Sequence, residues 1–89
     1  MKSYFKEHMK QLKIYSATWC GPCQTLKKTI SANDLGIPVT TVDVDAWKEE
    51  AKVDQVRSVP TLILLENGVE VKRATGAKTL DQLKEFIKT

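Results

Sequence analysis

Apolar positions recur along this chain in short runs, and the period changes from one run to the next. Across residues 11–17 they alternate. Leu12 and Ile14 fall on one face, Lys13 and Tyr15 on the other, which is the two-residue period of a strand. Across 22–32 the period lengthens, with Cys23, Leu26 and Ile30 on one face and Lys27 and Lys28 turned to water. This predicts a helix that tolerates Pro22 in its first turn and stops at Asn33 and Gly36. Residues 38–44, PVTTVDV, are rich in β-branched side chains and predict a second strand. A short helix is expected over 46–53 with Asp45 as its N-cap. Two apolar runs within 61–75 flank Asn67-Gly68, a pair suited to a type I′ turn because both positions take positive φ. Thr79 with Gln82 three residues on makes a capping box, and Leu80, Leu83, Phe86 and Ile87 form the buried stripe of the last helix. At the other end, Tyr4, Phe5, His8 and Met9 predict a short helix over 2–9.

The expected order is therefore α-β-α-β-α-β-β-α. Strands joined through a helix should run parallel with a right-handed crossover, and the last two should form an antiparallel hairpin. The chain reads as a single α/β domain over 1–89, a mixed four-stranded sheet flanked by helices.

Composition narrows the function classes. Eighty-nine residues make one small core, and 42% hydrophobic with 28% charged residues excludes a disordered or collagen-like chain. The net charge of +3 comes from scattered lysines and arginines, with no basic stripe interleaved with aromatics, so no nucleic-acid partner is expected. The first thirteen residues, MKSYFKEHMKQLK, carry a charge every few positions and no apolar run. They predict neither a signal peptide nor a membrane span, and the expected compartment is the cytoplasm. A stable structural disulfide is not expected there.

Both cysteines lie in TWCGPCQ, residues 18–24. A disulfide closing so short a loop removes little entropy from the unfolded chain and would be a poor staple. A metal site within one chain lacks ligands, since zinc takes three or four and the chain adds only His8 on a different element. A zinc or iron–sulfur site shared between two chains stays open at this point. Redox chemistry has the features it needs. Cys20 falls where a strand ends and a helix begins, and the free N–H groups and dipole of a helix start stabilise a thiolate. Cys23 follows one turn later on the same face. Cys20 would then be the exposed nucleophile and Cys23 the shielded resolving thiol, with Trp19 and Gly21-Pro22 giving a low apolar surface for an incoming disulfide. Trp47 is expected to pack in or beside the core, and Asp43 and Asp45 to end a strand and cap a helix. His8 has no assigned chemistry.

WCGPC at 19–23 resembles the active site of thioredoxins. The likeness continues in Val59-Pro60-Thr61, which resembles the loop whose proline is cis in that family and faces the redox pair. It continues again in residues 65–77, similar to the family's hairpin and following glycine, and in 80–87, similar to its last helix. From the residues alone the Val59-Pro60 bond could be cis or trans; the resemblance implies cis. It further implies a thioredoxin-like fold and a protein-disulfide reductase working through Cys20 and Cys23. Trp19, Gly21, Pro22, Val59, Pro60, Gly76 and Ala77 would receive the substrate, and the Val59 backbone would pair with an extended substrate strand. The implied partners are disulfide-containing proteins and a thioredoxin-reductase-like electron donor. No bound cofactor or metal, no membrane and a monomeric chain are implied.

The sequence also departs from that family. The segment before the active-site strand is short. The family's buried aspartate, six residues before the first cysteine, is Ile14, and its lysine partner aligns with Thr41. Losing both members of a buried pair can be nearly neutral, whereas losing one leaves an uncompensated charge. Cys23 would then lose its proton through water or to the departing substrate thiolate. Two alternatives accompany the reductase. A glutathione-coupled, glutaredoxin-like enzyme would fit the size, but Gly76 is followed by Ala77, Lys78 and Thr79 rather than by the acid that holds the tripeptide's amino end. A non-catalytic subunit would clamp a partner through the surface around Trp19, Val59 and Gly76.

Overall fold

The computed structural model describes residues 9–88. The expected helix over 2–9, with Tyr4, Phe5 and His8, lies outside the described residues apart from its last position. The strands are β1 (Lys10–Ser16), β2 (Val39–Asp43), β3 (Thr61–Glu66) and β4 (Val69–Thr75). The helices are α1 (Gly21–Ala32), α2 (Lys48–Val53) and α3 (Leu80–Ile87). The four strands form one mixed sheet in the order β2-β1-β3-β4. This is the fold class expected from the periodicities.

One topological expectation is corrected. β1 and β2, joined through α1, are parallel neighbours, but β1 pairs antiparallel with β3. The strands β2 and β3, although joined through α2, therefore run in opposite directions. The parallel rule holds for two strands entered from the same end of a sheet, and α2 with its loop returns the chain to the end it left.

Alternation along β1 sends its side chains to two differently covered faces. Leu12 and Ile14 join Leu62, Leu26 of α1 and Leu83 of α3 in one apolar cluster, with Ile30, Phe86 and Ile87 packed against it. Tyr15 joins Val42, Ile63 and Ala51 of α2 on the opposite face. The molecule is thus layered, with α1 and α3 on one side of the sheet and α2 on the other.

The hairpin turns as its sequence requires, with φ of 56° at Asn67 and 82° at Gly68. A register shift between Leu64 and Leu65 interrupts the β3–β4 ladder. Thr79 caps α3 through the full capping box with Gln82.

The start of α2 differs from expectation. Asp45 is not its N-cap; Trp47 holds that position and makes no side-chain capping bond. Asp43 explains the difference. Its carboxylate accepts from Asp45 N–H at 2.9 Å, and its carbonyl accepts from Ala46 and Trp47 at 3.2 and 2.9 Å, so a tight turn intervenes before the helix. Trp47 is also exposed rather than packed.

Candidate active site

The strand register collects four segments at one end of the sheet. Ser16, the last residue of β1, pairs with Asp43, the last of β2. Thr61, the first of β3, lies between Tyr15 and Thr75, the last of β4. The turns that follow β1, β2 and β4 and the loop that enters β3 therefore meet. They carry Cys20, Val44 with Asp45, Gly76, and Val59 with Pro60.

Cys20 is the N-cap of α1, and Gly21 and Pro22 fill the first turn, where Pro's missing N–H costs no hydrogen bond. The sulfur of Cys20 accepts from Cys23 N–H at 3.3 Å, and its thiol faces the Val59 carbonyl oxygen at 3.8 Å. The Val59-Pro60 bond is cis, as the resemblance implied. Gly76, at φ 91°, donates its N–H to the Pro60 carbonyl at 3.0 Å, which ties the end of the hairpin to the proline loop. A side chain would strain this left-handed conformation. Ala77 follows it, exposed at the rim.

Both cysteines are free thiols. Cys23 is 1% exposed and Cys20 7%, so the expected order of accessibility stands, but Cys20 presents only an edge rather than an exposed sulfur. Ala17, Val44 and Val59 close around the pair. Burial, and next the hydrogen bond to Cys20, push the Cys23 thiol up to about 11. Among the described residues, no group of three His, Cys, Asp or Glu side chains could hold a metal ion.

Two residues that the sequence did not assign to the site complete it. Asp45 accepts a 2.9 Å hydrogen bond from the Trp19 indole N–H and so fixes a ring that is 69% exposed. Val44 packs against the cysteines, and together with Trp19, Val59, Val56, Ala51 and Arg57 it lines a groove of about 180 Å³. Asp45 and Trp19 lie twenty-six residues apart and meet only because β2 lies beside β1. No local signal could have paired them.

The sequence model of the thioredoxin family matches residues 2–89. The chain belongs to the thioredoxin family. A thioredoxin of Chlamydia muridarum is 40% identical over 76 residues, covering 82% of this chain and 74% of that protein. Thioredoxin H2 of Arabidopsis thaliana is 37% identical over 88 residues, covering 92% of this chain and 64% of its own length. Among solved structures, a mutant thioredoxin from Halobacterium salinarum superposes with a TM-score of 0.83 at 33% identity, over 96% of this chain and 77% of that one. These thioredoxins are longer than the present chain. With this family and this fold, the chain is a thiol–disulfide oxidoreductase acting on protein disulfides. The glutathione-coupled and non-catalytic alternatives are not favoured. Among the described residues, no helix is long and apolar enough to cross a membrane.

Proposed function

We propose that Cys20 is the attacking cysteine and Cys23 the resolving one in the reduction of protein disulfides. The observation that carries this assignment is the placement of the Cys20 sulfur at the start of α1, accepting from Cys23 N–H and beside the Val59 carbonyl, while Cys23 lies beneath it. The Cys20 thiolate attacks one sulfur of the substrate disulfide, forming a mixed disulfide and releasing the other sulfur as a thiolate, which takes a proton from solvent. Cys23 then loses its proton and attacks the Cys20 sulfur. The Cys20–Cys23 disulfide forms, and the second substrate sulfur departs and is protonated. Two electrons pass from the dithiol to the substrate.

Trp19, Gly21, Pro22, Val59, Pro60, Gly76 and Ala77 form the landing surface for the substrate chain. Two exposed residues between the cysteines, an indole held by Asp45 and the backbone of the proline loop support this reading. Electrons return to the pair from a thioredoxin-reductase-like donor without a bound cofactor in this chain. A bifunctional thioredoxin reductase/thioredoxin of Mycobacterium leprae, 44% identical over 66 residues and matched over 14% of its length, supports that pairing. The protein works as a monomer in the reducing cytoplasm, since all parts of the site come from one chain and both thiols must be regenerated.

The test is covalent trapping. Cys23→Ser should accumulate a mixed disulfide with a protein substrate through Cys20, and Cys20→Ser should accumulate none. Trapping through Cys23 instead would reverse the assignment. The reduction potential of the pair should lie near about −270 mV, the thioredoxin range, rather than at about −200 to −230 mV.

A further inference from the structure

The resolving step requires a proton to leave a thiol that the fold buries. Few groups are placed to help. Just after β1 Cys23 meets the Ala17 backbone, and among the described residues the apolar side chains packed against the pair from the turn after β2 and from the proline loop are those of Val44 and Val59. Ile14 and Thr41, directly paired across β1 and β2, supply neither a carboxylate nor a cation. On α1 itself the groups that act on Cys23 are Cys20 and Lys27.

Lys27 lies four residues after Cys23 within α1, so both side chains leave the helix on the same face, about 5–6 Å apart at their Cβ atoms. The sequence pattern turns Lys27 to water together with Lys28, but in the structure only Lys28 is exposed and Lys27 is half-buried. It lines an open cavity of about 310 Å³ with Ile30, Ser31 and Thr41. Among the described residues no carboxylate is paired with it, whereas Lys13 is engaged by two.

We infer that Lys27 is a positioning residue for the resolving step, its ammonium stabilising the Cys23 thiolate as it forms while the proton passes to water or to the departing substrate thiolate. The inference rests on the assignment of Cys23 as resolving thiol. Lys27 and the Ala17 backbone are the two influences that pull the Cys23 thiol back down against burial. When Cys20 is tied up in a mixed disulfide, its own thiol no longer raises Cys23, and the cation then acts against burial alone. A charge one helical turn away, partly screened by water, acts with an effect of several-fold rather than of orders of magnitude.

The experiment titrates Cys23 as the only thiol, by ultraviolet thiolate absorbance, in Cys20→Ser protein carrying Lys27, Lys27→Met or Lys27→Arg. Lys27→Met should move the thiolate titration to higher pH, equivalent to about a threefold lower thiolate fraction at any pH below its midpoint, and Lys27→Arg should keep it in place. In the two-cysteine protein, release of substrate thiol from a preformed mixed disulfide should slow by the same factor with Met. Its pH profile should move upward at unchanged slope and return with Arg. An unmoved titration with Met, or equal shifts with Met and Arg, would overturn the inference, the second outcome pointing to packing. Failure of Cys20 to form any mixed disulfide would instead overturn the functional assignment, and the Cys23 titration would still decide the role of Lys27.

Discussion

The two faces of the sheet are held to their helices by different forces. Beneath α1 and α3 the contact is apolar: Leu12, Ile14, Leu26, Leu62 and Leu83 are all essentially inaccessible. Beneath α2 a smaller apolar cluster is supplemented by ions. Lys13, reaching out from β1, lies 2.6 Å from Glu50 and 3.0 Å from Asp54, and the Tyr15 hydroxyl donates to the same Asp54 carboxylate. The helix that carries the cysteines thus rests on burial, which depends weakly on pH and salt. The helix that lines the groove through Ala51, beside Val44, rests partly on a charge network, which depends on both. Catalytic geometry and groove geometry should therefore fail under different conditions.

The largest effect should come from the apolar face. Leu26 is fully buried on α1 one turn after Cys23. Leu26→Ala removes its methyl groups from the centre of the cluster and should cost about 3 kcal/mol, a large share of what a domain of this size has. Urea unfolding should show a lower midpoint with an unchanged slope. Disulfide reductase activity should fall with the folded fraction rather than ahead of it.

The charged face should respond less strongly but to a different variable. The Tyr15 hydroxyl, against the opposing effect of burial and with help from Lys13, holds the Asp54 carboxyl below the ordinary carboxylate range. A depressed folded pKa means stability that is present above the unfolded value and lost as pH falls through the folded one. For Lys13, burial pulls downward, but hydrogen bonds to Glu50, Tyr15 and Asp54 outweigh it and raise its pKa. Its contribution is complete below the ordinary lysine value and lost only in strong alkali. Asp54→Asn should thus cost about 1 kcal/mol at neutral pH, with the difference from wild type shrinking in acid and in high salt. A cost that stayed constant from neutral to acidic pH would mean that Asp54 packs rather than pairs.

This contrast was half visible in the sequence. The alternation over 11–17 already separated Leu12 and Ile14 from Lys13 and Tyr15, and WCGPC marked the cysteines, because such signals lie within a few residues. The capping box at Thr79 and the turn at Asn67-Gly68 were legible for the same reason. The partners of Lys13 and Tyr15 were not, since Glu50 and Asp54 reach them only after α2 folds onto the sheet. The same distance hid Asp45. Its sequence setting suits a helix cap, yet Asp43 forms the turn and leaves the Asp45 carboxylate for Trp19. Local chemistry was readable wherever one segment carried it, and it was hidden wherever the sheet order decided which residues meet.

The smallest expected effect sharpens the comparison by making the apolar face more uniform. Ser16 ends β1 on the face of Leu12 and Ile14 by alternation. It is fully buried, and among the described residues its hydroxyl is the one side-chain polar atom so deeply placed without a hydrogen-bond partner. Its backbone remains engaged, the carbonyl accepting from Val44 N–H at 2.9 Å. Ser16→Ala keeps the Cβ and this backbone bond while removing an oxygen whose desolvation no hydrogen bond from the described residues offsets. The variant should gain about 0.5–1 kcal/mol in urea unfolding, with an unchanged slope and an unchanged rate of mixed-disulfide formation by Cys20. A loss of stability instead would show that the hydroxyl holds a buried water, and the face beneath α1 would then contain a polar anchor of its own next to the active-site end of the sheet.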